Sequence, residues 1–127
     1  MDQRPVYLDL TKIRLPMSAF SSITHRLSGM YVFFITLPVM LYMIYHSTSS
    51  KSNFENLLIT LDAISFKSIF IYVSFLIFWY HILTGIRHLI MDFLHIGESL
   101  NSSNYSAIFV LVFWLISSVL FLVYIFI

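Results

Sequence analysis

The chain has 127 residues, of which 59% are hydrophobic and only 10% charged, with a formal net charge of +1. Soluble domains carry roughly 25% charged residues, so this is the composition of an integral membrane protein, and no basic run offers a nucleic-acid surface. With no cysteine and three glycines, the chain by itself excludes disulfides, thiol catalysis, iron–sulfur ligation and a Gly-rich phosphate loop.

Residues 1–19 (MDQRPVYLDLTKIRLPMSA) are polar, and Pro5 and Pro16 interrupt any signal-peptide core. The stretch reads as a retained cytoplasmic lead-in along the membrane surface, with Ser18 as the expected N-cap of the first long helix. That helix is predicted over about 20–45. From Leu27 to Tyr45 it has 19 residues without Asp, Glu, Lys, Arg or His, close to the roughly 20 that cross a bilayer core. Pro38 predicts a kink. Ser28-Gly29 is a small pair that lets another backbone or a flat cofactor come close.

Residues 46–67 are rich in Ser and Asn with both signs of charge, and read as a solvent-side connection with room for one short amphipathic turn. The second helix is predicted over about 68–94. Between Ser68 and Ile86 its one ionisable group, tyrosines aside, is His81. A second break over 95–104 precedes a third helix over about 105–127, which holds no charge and no histidine. The predicted fold is an all-α membrane protein, one membrane domain of three transmembrane helices in the lipid bilayer. Lys and Arg divide five to two between the ends of the spans, which predicts a cytoplasmic N-terminus and second loop.

His81 is the residue to explain, because an ionisable group at such depth is costly and points to function. It precedes His88 by seven residues, so it lies roughly 10 Å deeper on nearly the same face. Gly85, one turn away, leaves room for a planar ligand. Two readings fit: an axial ligand of haem iron, or a histidine hydrogen-bonded to a neighbouring helix. Ser22, His25 and Arg26, spaced i, i+3, i+4, share a face at the cytoplasmic end of the first helix. His88 and Asp92 form an i, i+4 pair at the same end of the second. Arg26 and His25 suit haem carboxylates, and Ser22 with Arg26 equally suits a quinone carbonyl. Arg87 reads instead as a snorkelling interfacial anchor. On the first helix the depth of His81 corresponds to Phe33, with no histidine or methionine beside it. A six-coordinate haem therefore takes its other ligand from another polypeptide.

RPVYLDLTKIRLP, SSITHRLSG and YHILTGIRHLIMDF together resemble the cytochrome b membrane-anchor subunit of bacterial succinate dehydrogenase, of the enterobacterial type. The resemblance covers the lead-in and all three spans. It implies half of a two-subunit helical bundle in the inner membrane, sharing haem b with a second small haem-binding anchor subunit. His81 would be the haem iron ligand, with His25, Arg26 and His88 around the haem. Ser22 and Arg26 would bind quinone, the substrate, and Asp92 would supply protons. The iron–sulfur and flavoprotein subunits would dock on the cytoplasmic face, leaving no succinate chemistry to this chain. Competing readings are a haem-free structural anchor, a fumarate reductase anchor running the reverse reaction, and a small transporter subunit.

Overall fold

A computed structural model describes residues 15–97 and 99–126; the lead-in expected over 1–19 falls mostly outside them. The described residues form α1 (Met17–Tyr31), a π-helical turn (Val32–Thr36), α2 (Leu37–Ser49), α3 (Lys51–Asp62), α4 (Phe66–Leu94) and α5 (Leu100–Phe126). Three continuous helical stretches are long and apolar enough to cross a membrane: Met17–Ser49, Phe66–Leu94 and Leu100–Ile125. The chain is an all-α membrane protein.

Its packing is inverted relative to a soluble domain. Ala107 is the one buried hydrophobic residue among those described, whereas Ser21, Ser28, Thr36, Ser68, Ser74, Thr84 and Ser118 are buried and most large apolar side chains face outward. In lipid there is no hydrophobic drive between helices, so small residues that let backbones approach make the seams. Several of these hydroxyls donate to a carbonyl one turn back on their own helix: Ser28 to His25, Ser74 to Phe70, Thr84 to Tyr80. This back-bonding consumes the hydroxyl proton and leaves the oxygen lone pairs facing outward.

The kink expected at Pro38 takes the form of a wider turn. Proline lacks an N–H, and its ring presses on the carbonyl four residues earlier. The backbone meets this just upstream with an i→i+5 bond from the Leu37 N–H to the Val32 carbonyl, the mark of a π-bulge.

Two local expectations are corrected. Ser18 does not cap α1; Pro16 is the N-cap residue and offers no side-chain bond. The Ser18 N–H instead donates to Asn104 Oδ1 of α5 at 3.0 Å, so the cap comes from another helix. The connection over 46–67 is mostly ordered helix rather than loop. Ser50 caps α3 through the Asn53 N–H, and Phe54, Leu57, Leu58 and Leu61 recur at i, i+3, i+4, i+7, the amphipathic spacing. The Tyr72 hydroxyl donates to the Leu61 carbonyl at 2.9 Å and ties the end of α3 to α4.

α4 begins at a reciprocal capping box between Ser65 and Ser68. It ends at His95, which adopts the left-handed conformation, followed by Gly97 at φ 88°. Only glycine takes that φ readily. The tight reversal brings α5 back along α4.

Candidate functional site

α1 and α4 run antiparallel, and each carries a histidine followed four residues later by a glycine: His25 and Gly29, His81 and Gly85. The crossing sets each imidazole on the other helix's glycine. A Cβ on Gly29 would lie 3.0 Å from His81 Cε1, and one on Gly85 would lie 3.3 Å from His25 Nε2. The Ser28-Gly29 gap read from the sequence therefore admits the imidazole of His81. The two rings stack with centroids 4.4 Å apart and planes within 7°, and His88 lies tilted against His25 at 5.1 Å.

This register corrects the depth read from the sequence. His81 is level with His25, Ser28 and Gly29, not with Phe33. A histidine of the same chain does lie beside it, but stacked face to face. Parallel stacked rings do not aim their nitrogens at one point between them, so His25 is not placed as a second axial ligand.

His81 Nδ1 lies 3.1 Å from Ser28 Oγ and 3.3 Å from the His25 carbonyl. Its Nε2 makes no hydrogen bond among the described residues. At about 100° per residue, His81, Gly85, His88 and Asp92 fall on one stripe of α4. Arg87, which reaches α5, sits about 120° around the helix from His81. Ser22, His25 and Gly29 form the matching stripe on α1, while Phe20, Thr24, Leu27 and Tyr31 turn toward Leu111 and Trp114 of α5. The histidine seam thus opens on the side of the α1–α4 pair away from α5.

Ser22 is half-buried and Arg26 exposed, and neither donates to an acceptor among the described residues. No hydrogen bond or ion pair joins His88 to Asp92, which is exposed near the end of α4. No cluster of three or more His, Asp or Glu capable of holding a bare metal ion occurs among the described residues.

Arg87 overturns its reading as an interfacial anchor. It is 5% exposed and points into the α4–α5 seam, where Nε donates to Ser106 Oγ at 3.0 Å. Its Nη2 donates to the Ser103 carbonyl at 2.8 Å and to Ser103 Oγ at 3.1 Å. The sequence marks Ser28 only as half of a small pair with Gly29; the signal for its hydrogen bond to His81 was a hydroxyl three residues after His25.

Three apolar spans define a multi-pass membrane protein, with a histidine-lined polar edge between the first two. A profile of the family described as "Succinate dehydrogenase/Fumarate reductase transmembrane subunit" matches residues 1–121, and the chain belongs to this family. The succinate dehydrogenase cytochrome b556 subunit of Coxiella burnetii (strain RSA 493 / Nine Mile phase I) is 37% identical over 118 residues, covering 93% of each chain.

Proposed function

We propose that this chain is the haem b-binding membrane anchor of a bacterial succinate dehydrogenase, helping to form its quinone-reduction site. The observation that carries the reading is His81: it packs against Gly29, and its Nδ1 is engaged while its Nε2 has no hydrogen-bond partner among the described residues. Those features fit haem, whose iron takes a neutral imidazole nitrogen. His81 would hold the haem iron together with a residue of a second small anchor subunit docked on the open side of the seam. His25, Arg26 and His88 line the haem surroundings. Bound there, the haem supplies a one-electron store beside the quinone.

Ser22 and Arg26, one turn apart with donors that meet no acceptor among the described residues, hold a quinone carbonyl and stabilise the negative charge that develops on its oxygen. Asp92, exposed at the end of the same polar stripe, passes protons inward from the cytoplasmic side. The N-terminus lies in the cytoplasm of a cell whose inner membrane the chain spans, and the iron–sulfur and flavoprotein subunits seat on that face.

The test is a reduced-minus-oxidised visible spectrum of the purified complex, wild type beside His81→Leu. Loss of the b-type signal from a still-assembled variant is expected. An unchanged signal would sink His81 as the ligand, and no signal in either sample would favour a haem-free structural anchor.

A further inference from the structure

Three atoms at the seam form a triangle: Ser28 Oγ, the His25 carbonyl oxygen and His81 Nδ1. The sides are 2.8 Å from Ser28 Oγ to the carbonyl, 3.1 Å from Ser28 Oγ to Nδ1, and 3.3 Å from Nδ1 to the carbonyl. A carbonyl oxygen only accepts, and a hydroxyl has one proton. If Ser28 gave that proton to Nδ1, the carbonyl would face two lone pairs with no hydrogen between. If Ser28 gives it to the carbonyl, its own lone pair is free, and a protonated Nδ1 donates to both oxygens. Only the second arrangement makes every side of the triangle attractive.

The same logic recurs along the seam. Thr24 Oγ1 donates back to the Phe20 carbonyl at 2.9 Å and meets Tyr80 Oη at 2.6 Å. Ser74 Oγ donates back to the Phe70 carbonyl at 2.8 Å and meets Tyr31 Oη at 3.1 Å. In each case a back-bonded hydroxyl becomes the acceptor for a group from the opposite helix, as Ser28 does for His81.

We infer that Ser28, with the His25 carbonyl, holds His81 as its Nδ1–H tautomer and so presents the Nε2 lone pair to the haem iron. Ser28 is a positioning residue, acting through His81. This rests on the proposed role of His81 and adds the reason its free nitrogen is the ligating one. Hydrogen bonds accepted from Nδ1–H also raise the basicity of the imidazole. A more basic ligand favours the ferric state, so Ser28 holds the haem potential down.

The test compares wild type, Ser28→Ala and Ser28→Thr complexes by redox titration of the b-type absorbance and by low-temperature EPR of the ferric haem. Ser28→Ala is expected to move the midpoint potential positive and to shift the ferric g-values. Ser28→Thr, which keeps a back-bonding hydroxyl, returns both toward wild type. If Ser28→Ala does not assemble, Ser28→Cys keeps the volume with a weak acceptor and should shift in the same direction. A wild-type potential and EPR spectrum in the Ala or Cys variant overturns the inference, as does a shift that Thr does not restore. Failure of the underlying reading looks different: a b-type spectrum that survives His81→Leu.

Discussion

Arg87 and His88 are adjacent in sequence and serve opposite seams of α4. On the α5 side, most polar groups find partners within the chain, Ser118 Oγ excepted: the Arg87 fork ends on Ser103 and Ser106. The Trp79 indole donates to Ser117 Oγ at 2.9 Å, and the Trp114 indole to the Leu76 carbonyl at 3.0 Å. Phe75 stacks on Phe121 at 4.6 Å. On the α1 side the histidines rest on glycines, and His81 Nε2, Ser22 and Arg26 have no hydrogen-bond partner among the described residues. The difference separates holding from binding. A satisfied seam fixes two helices, whereas an unsatisfied one is poised to take a ligand or another chain.

Filling the histidine seam should have the largest effect. Gly29→Val drives a branched side chain toward His81 Cε1, where even a Cβ arrives at 3.0 Å. Overpacking of this kind costs roughly 1–3 kcal/mol, so haem per assembled complex should fall about tenfold, measured by absorbance against protein. Next in size is Arg87→Met, which keeps much of the length and removes three hydrogen bonds. Interhelical bonds in membranes average about 0.6 kcal/mol, with more for a charged donor, so a loss of roughly 1–3 kcal/mol is expected. It should lower the thermal midpoint of the detergent-purified complex without changing haem per complex. The smallest effect is expected from Gly85→Ala. Its Cβ meets His25 Nε2 at 3.3 Å, a contact relieved by a few tenths of an ångström of ring movement, and haem content should stay within about twofold of wild type.

The spans were legible because uncharged apolar runs of this length have one stable outcome in a bilayer. The residues that meet where α1 crosses α4 could be named from the sequence, since histidines and small residues stand out against Phe and Leu. Depth was not legible. Counting inward from Arg26 and His88 placed His81 opposite Phe33, yet register between antiparallel helices is set by which small residues nest. Here Gly29 and Gly85 slide α1 so that His25 meets His81. Arg87 was misread for a related reason. Its destination is a pair of serines on α5, and nothing in the local sequence of α4 says which face α5 will cover. The α3 helix was read as no more than one short amphipathic turn because its Ser, Asn and charged residues masked the spacing of Phe54, Leu57, Leu58 and Leu61.

The most direct test of the central claim is haem b per flavin in the purified complex, determined for His81→Leu and Arg87→Met side by side. Two seams with separate duties predict a ratio near zero for His81→Leu in complexes that still assemble. Arg87→Met should give the wild-type ratio at reduced yield. A wild-type ratio in His81→Leu, or a collapsed ratio in the Arg87→Met complexes that do assemble, would contradict that division.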